Sequence, residues 1–269
     1  MNDRLSVLRS LRVLFTYRAR LWEGIVSDAR QRYAGSVLGM AWNFVLPLFQ
    51  LSIYTVVYVY IFRIRPASLT EYQYVVLVFS GLVPLLAFNE SLTSATGALV
   101  ANRSLLMNSV FPAELIPVRA ALAGQAPSIV GLAVTLVAGV AVASAGWRTA
   151  LIVPVLWLLL LMLAVGLGWV LSLLTLIARD VQHGLGLVML ALFILSPFAY
   201  TPDMVPRGSR PLLYANPLSY YVLSFQQAIC YGRWPPAEIL LPATALSCIC
   251  FFGGFALFHR MKYVFFDYA

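Results

Sequence analysis

Side chains capable of acid, base or metal chemistry are few in this chain and far apart. Its ten carboxylates (Asp3, Glu23, Asp28, Glu71, Glu90, Glu114, Asp180, Asp203, Glu238 and Asp267) are scattered, with no two within four residues of each other. Phosphoryl or glycosyl transfer within a membrane calls instead for clustered acids that hold a metal or work as an acid and base pair. His183 and His259 stand alone at the ends of apolar runs, and no GxSxG elbow occurs. A phosphate-binding GxxxxGK[ST] loop needs a lysine that reaches the phosphates, and the single lysine, Lys262, lies in HRMKYV near the C-terminus. Cys230, Cys248 and Cys250 form neither a CxxC nor a Cys/His cluster, so they read as small packing residues and no metal site is expected. Catalysis by this chain is therefore not expected, nor is a cofactor of its own.

Two other groups remain informative. Glu90 and Arg119 each fall about two helical turns inside an apolar run, a depth at which a charge needs a partner, and they are a candidate structural ion pair. Aromatic residues are abundant (16 Phe, 14 Tyr, 6 Trp), and many gather toward one end of the apolar runs: Tyr54, Tyr58, Tyr60, Phe62, Tyr72, Tyr74, Phe198 and Tyr200. An ordinary headgroup-level aromatic belt accounts for such a pattern. The sharper reading is that some rings line a path, giving sugar rings a flat apolar face with a polar tip. Candidates are Trp42, Tyr54, Tyr58, Phe88, Phe198 and Tyr200, with Tyr54 and Tyr58 sharing a helix face at i,i+4.

The elements that must position these groups follow from composition. Of 269 residues 61% are hydrophobic and 10% charged, with mean hydropathy +0.86, against about 25% charged in a soluble domain. A single soluble globule is excluded. With ~20 apolar residues per crossing, the chain reads as an all-α polytopic membrane protein. Six spans are expected, near 37–62, 72–100, 115–143, 150–178, 184–200 and 238–258, in one domain over residues 1–269. A cytoplasmic interfacial segment (1–36) precedes the spans (37–258), and a cytoplasmic tail (259–269) follows. The later half of the second span, FNESLTSATGALV, is polar enough to need protein or water beside it.

Net charge is +8, with 17 arginines and a single lysine against ten acids, and seven of the arginines lie in the first 32 residues. A basic segment beside a span is an orientation signal and a lipid contact rather than a nucleic-acid surface. Residues 3–25 project as an amphipathic helix, with Leu11, Leu14, Phe15, Leu21, Trp22 and Ile25 on one side and Arg9, Arg12 and Arg20 opposite. Such a helix lies in the membrane surface. Placing both termini in the cytoplasm puts twelve basic residues inside and six outside. The connection 201–236 carries six prolines, and within it PLSYYVLSFQQAICYG is too short to span. It reads as a re-entrant or interfacial helix from Asn216-Pro217 to Gly232. Gly35 and Gly39 form a GxxxG, while Gly166 with Gly168, Gly184 with Gly186, and Gly253 with Gly254 permit close helix approach.

DARQRYAGSVLGMAWNFVLPLFQL at 28–51 resembles the R-D-x-x-x-R-Y-x-x-S-x-L-G-x-x-W-x-x-x-x-P start of ABC-2 type permeases that export lipid-linked polysaccharide. FSGLVPLLAFNESLTSATGALVANRSLLMNSVFPAELIPV at 79–118 is similar to that family's second and third spans, and ARD at 178–180 and NPLSYYV at 216–222 to its later landmarks. One departure is MNSVFP where the family often has a basic residue in KxxFP. The resemblance implies a homodimer joined to two ATP-binding cassette subunits that hold MgATP, in the bacterial inner membrane. It implies partner contacts at Arg103, Asn108, Phe111, Glu114, Arg179 and Asp180, with a coupling helix near 101–112. It implies an undecaprenyl-pyrophosphate-linked substrate for O-antigen, capsule or teichoic acid assembly, with 201–236 as periplasmic gate helices. Arg30, Arg32 and Tyr33 are then candidates for the lipid pyrophosphate. Alternatives left open are a small-molecule or drug exporter, a membrane glycosyltransferase or polymer ligase, and a scaffold of polysaccharide assembly.

Overall fold

The computed structural model describes residues 15–61, 66, 68–102 and 112–266, and among these no strand occurs. The N-terminal part of the expected amphipathic helix, with Arg9, Arg12, Leu11 and Leu14, lies outside the described residues, as do Phe62, Arg103, Asn108 and Phe111. The described residues form ten α-helices: α1 (Arg18–Gln31), α2 (Trp42–Thr55), α3 (Glu71–Ala101), α4 (Leu115–Ala123), α5 (Ala126–Val142), α6 (Trp147–Ile177), α7 (Asp180–Leu195), α8 (Arg210–Ala215), α9 (Pro217–Ile229) and α10 (Ala237–Phe266). A 3₁₀ turn at Gly39–Ala41 leads into α2, and a π-helical stretch at Val56–Ile61 prolongs it. The 20 residues Gly39–Tyr58 together with α3, α6 and α10 are long and apolar enough to cross a membrane.

The third apolar run is not one straight helix. It breaks at Gly124-Gln125 into α4 and α5, which meet at 45°. Backbone groups freed by a break inside a membrane must be satisfied within the protein, and α3 supplies the partner: Ser91 Oγ donates to the Ala121 carbonyl at 2.9 Å. Gln125 Nε2 reaches back in turn, donating to the Ala87 carbonyl at 3.1 Å and to Ser91 Oγ. The polar half of α3 thus faces protein, as its composition requires.

α7 lies earlier than expected, at Asp180–Leu195 in place of 184–200. Pro197 forces the preceding residue out of helical geometry, and Ser196 is extended, with φ −79° and ψ 137°. Asn216 then closes two helices at once. Its Oδ1 accepts from the Leu218 N–H at the start of α9, and its Nδ2 donates to the Leu192 carbonyl and to Ser196 Oγ, all at 2.9 Å. With Pro217 at its first position, α9 starts where the Asn-Pro pair signals. It ends shortly before Gly232, which has φ +60°. α9 packs inside the bundle: Leu218, Tyr221, Val222, Phe225 and Ile229 are buried against α3, α6 and α10.

α3 and α6 form the centre, with α10 packed along α6. Lipid chains are as apolar as leucine, so contact between such helices comes from close packing. Gly166 and Gly254 provide it: a Cβ on Gly166 would overlap the Cys250 backbone, and one on Gly254 the Gly166 carbonyl. Ser247 Oγ adds a bond from α10 to the Leu159 carbonyl at 2.7 Å. Gly35 and Gly39, in contrast, have φ +81° and +48° with open space around them. They serve a turn between α1 and α2, and not helix packing.

Candidate functional site

α1 carries the polar residues that organise one end of the bundle. It has no fully buried residue; Trp22 is 66% exposed and Phe15, just ahead of the helix, 70%. Leu21 alone among its large apolar residues packs against the core that α3, α4, α6 and α10 form at this end. What fixes α1 is a pair of charges one helical turn apart. Asp28 meets Arg119 of α4, Oδ2 to Nε 2.7 Å, and Arg119 Nη2 donates to Asn102 Oδ1 at 3.0 Å. Arg32 pairs with Glu90 of α3 and donates to Ser94 Oγ at 2.9 Å. Glu90 and Ser94 are themselves one turn apart, so a single guanidinium bridges them.

The expected Glu90 with Arg119 pair is therefore corrected. Both charges are partnered, but each by a residue of the α1 segment, because α1 lies over α3 and α4 and brings the opposite charges closer than these two are to each other. Arg32 is likewise tied to Glu90 and Ser94, whereas among the described residues Arg30 makes no ion pair. Tyr33 keeps its proton more tightly than a free phenol, because partial burial and the Glu90 charge outweigh Arg32.

Glu114 corrects a second expectation. Its side chain is 7% exposed and its Oε1 lies 3.2 Å from His259 Nδ1 on α10, while its backbone carbonyl accepts from Trp169 Nε1 at 2.7 Å. It is a buried tie between α10, α6 and the start of α4, and no surface contact for a partner. Arg179 and Asp180 do lie exposed, at the sharp turn from α6 into α7. Gln182, two residues beyond Asp180, lies against Gly97 near the end of α3, so this turn is at the same end as α1.

At the opposite end the aromatic candidates divide. Tyr54 and Tyr58 stack, with centroids 6.1 Å apart and planes 7° apart, and both meet Phe198 edge-on at 5.9 and 5.7 Å. Phe193 of α7 joins at 5.0 Å from Phe198. The chain can lie this close to α3 because Gly81 faces Phe198, whose Cα would be 2.9 Å from an added Cβ. Trp42, Phe88 and Tyr200 are not part of this group. Trp42 Nε1 donates to Ser36 Oγ at 2.9 Å near α1, Phe88 is buried in the core, and Tyr200 Oη donates to the Leu195 carbonyl at 3.0 Å. A mixed polar cavity of about 680 Å³ opens in the 201–236 connection, lined by Asp203, Tyr214, Gln227, Tyr231 and Arg233 among others. Burial pushes the Tyr231 phenol above its usual range, with Cys230 and Asp203 adding to the effect and Arg233 opposing it.

Residues missed from sequence are Asp28, Ser94, Asn102, Gln125, Phe193 and His259. For Asp28 a signal exists in its i,i+4 spacing to Arg32. For the others the signal is only a polar or aromatic side chain at the edge of an apolar run, which names no partner.

The same stretch of chain that carries these contacts matches known proteins. Residues 21–230 match the ABC-2 type transporter membrane family. The chain is 26% identical over 260 residues to an O-antigen export system permease protein RfbA of Myxococcus xanthus, covering 95% of this chain and 97% of that protein. It is 25% identical to two proteins of the same name from Klebsiella pneumoniae, each covering 88% of this chain and 90% of the relative. The Asp28, Arg32, Ser36, Gly39 and Trp42 positions that opened the resemblance are the ones that dock α1, bond Trp42 and turn the chain into α2. This chain, an all-α multi-pass membrane protein, belongs to the ABC-2 type transporter family.

Proposed function

We propose that the chain is the membrane subunit of an exporter of lipid-linked surface polysaccharide, with O-antigen foremost. The observation that carries the reading is the near end-to-end likeness to three O-antigen export permeases. In this account two copies form the translocation path, and each binds a separate subunit that holds MgATP and hydrolyses it. The chain crosses the inner membrane six times, with α7 and the bent α4–α5 pair as crossings and both termini in the cytoplasm. The substrate is carried on undecaprenyl pyrophosphate.

The geometry supports a division of labour between the two ends. The α1 end holds the exposed Arg179–Asp180 turn, which offers a contact for the ATP-hydrolysing partner. α1 is tied to α3 and α4 by ion pairs, so a push on that end moves α1 and the spans together. At the other end Tyr54 of α2 meets Phe193 of α7, and Tyr54 and Tyr58 both meet Phe198 just beyond α7; the outward faces of these two helices expose Phe49, Ile53, Leu187, Leu190 and Ile194. A second copy covers these faces, and the aromatic group borders the sugar path.

The test is purification of the tagged chain from its own cells. An ATP-hydrolysing subunit should copurify in equal amount, and the double charge reversal Arg179→Glu with Asp180→Lys should release it. A chain that purifies with no such subunit contradicts the proposal.

A further inference from the structure

Two anchored turns supply the charged side chains of the 680 Å³ cavity in the 201–236 connection. The first, Pro202–Met204, carries Asp203 and follows a stretch held from two helices: Tyr74 Oη donates to the Ala199 carbonyl and Gln226 Nε2 to the Pro197 carbonyl, both at 2.8 Å. The second carries Tyr231 and Arg233. The Arg233 N–H donates to the Gln227 carbonyl at 2.9 Å and the Ser144 N–H to the Cys230 carbonyl at 3.3 Å, while Gly232, at φ +60°, packs so closely that a Cβ would overlap the Ser144 carbonyl. α9 joins the two turns, since Gln226 ties the first and Gln227 the second, and both glutamines line the cavity.

Asp203 and Arg233 both act on the Tyr231 phenol, in opposite directions, so a carboxylate, a guanidinium and a phenol lie together. Their bonding capacity is largely unused. Among the described residues Asp203 makes one ion pair, at 3.9 Å to Arg210, and no hydrogen bond or ion pair engages the side chains of Gln227, Tyr231 or Arg233. An acceptor with two oxygens and a donor with a forked guanidinium match neighbouring hydroxyls, and Tyr214 and Tyr231 offer ring faces to an apolar ring face. Opposite charges side by side favour neither an anion nor a cation, and an acyl chain would leave both without partners. The volume falls within the roughly 300–1,000 Å³ of small-ligand pockets. We infer that the cavity is a sugar subsite that takes a neutral hexopyranose residue, its adjacent hydroxyls between Asp203 and Arg233 and its ring against Tyr231. The source of that sugar rests on the proposed function: it is a unit of the polymer emerging past Tyr54, Tyr58 and Phe198. Phe198 lies just before Thr201 of the cavity wall, so a polymer leaving the aromatic group meets the cavity next. A sugar held there keeps the emerging polymer from sliding back.

The test is calorimetric titration of the full-length chain, in phosphatidylcholine nanodiscs free of sugar-headed detergent, with repeat-unit oligosaccharide released from the host's own surface polysaccharide. The unaltered chain should bind it, and Asp203→Asn with Arg233→Gln should weaken binding roughly tenfold or more while thermal melting stays unchanged. Gln227→Trp, which fills the cavity, should abolish binding. The same oligosaccharide with its primary hydroxyls oxidised to carboxylates should bind no more tightly than the neutral form. Undiminished binding in the double variant, tighter binding of the oxidised form, or binding lost only in Tyr54→Ala with Tyr58→Ala would overturn the inference. Deleting the gene in its host separates this claim from the one beneath it. If surface polymer disappears but the unaltered chain binds no oligosaccharide, the subsite is overturned and the proposed function stands; if surface polymer is normal, the proposed function falls and the subsite with it.

Discussion

Replacing Arg119 by Met keeps the aliphatic stem that covers Gly24 of α1 and removes the charge from between Asp28 and Asn102. At 2.7 Å the Coulomb attraction of the pair is gross, about 6 kcal/mol at an effective dielectric of 20, and desolvation offsets much of it. The two side chains are 15% and 23% exposed, so the pair lies between a surface bridge, worth ~0–1 kcal/mol, and a buried one, where losing a partner costs ~3–5. About 2 kcal/mol is the expected net loss, or roughly 30-fold in the docking equilibrium of α1. A 14-residue helix is marginal without tertiary contacts, so amide hydrogen exchange reads its undocking directly. In detergent, amides of 18–31 should exchange roughly 30-fold faster in Arg119→Met, while those of the buried α9 stay as they were. Asp28→Asn should act alike, and the double variant should be no worse than either single one. Unchanged exchange in α1, or single effects that simply add, would refute the claim that this pair holds α1 in place.

Further outcomes follow from other contacts. Asn216→Ala removes the cap of α9 and the donor to the Leu192 carbonyl together; it should cost about 2 kcal/mol, seen as a lower melting temperature, and Asn216→Asp should not restore it because the donor is still missing. Gly254→Ala places a methyl on the Gly166 carbonyl, so α6 and α10 must separate at a cost of ~1–3 kcal/mol, whereas Gly253→Ala, with open space around it, should leave melting unchanged. Tyr54→Ala with Tyr58→Ala should slow polymer export several-fold without releasing the ATP-hydrolysing subunit, measured as surface polymer per unit of purified complex.

Much of the architecture was legible because it rests on local chemistry. An Asn-Pro pair starts α9 and a left-handed Gly232 follows its end, prolines rule out a long helix in 201–236, and the serine-rich half of α3 had to face protein. The ion-pair partners were not legible. Glu90 and Arg119 lie at matching depths, and nothing local says that α1 folds over them to present Asp28 and Arg32 first. Glycine roles were equally hidden: GxxxG at 35–39 looks like a packing motif, yet those residues turn the chain, and the close crossing falls to Gly166 and Gly254. The break at Gln125 has a local signal in Gly124 and Pro127, but it sits inside a mostly apolar run of spanning length, 115–143, and a kink there depends on Ser91 of another helix to accept it. Of the aromatic candidates, spacing found Tyr54 and Tyr58 on one face, but which rings of α7 and its following turn meet them is a property of tertiary packing.

The most direct measurement of the central claim is to delete the gene in its host and locate the lipid-linked polysaccharide, with and without permeabilising the outer membrane. The account predicts full-length polymer, still on its lipid carrier, trapped inside and reached only after the inner membrane is opened. Normal polymer on the cell surface would contradict export by this chain, and loss of polymer synthesis altogether would assign it to assembly rather than to transport.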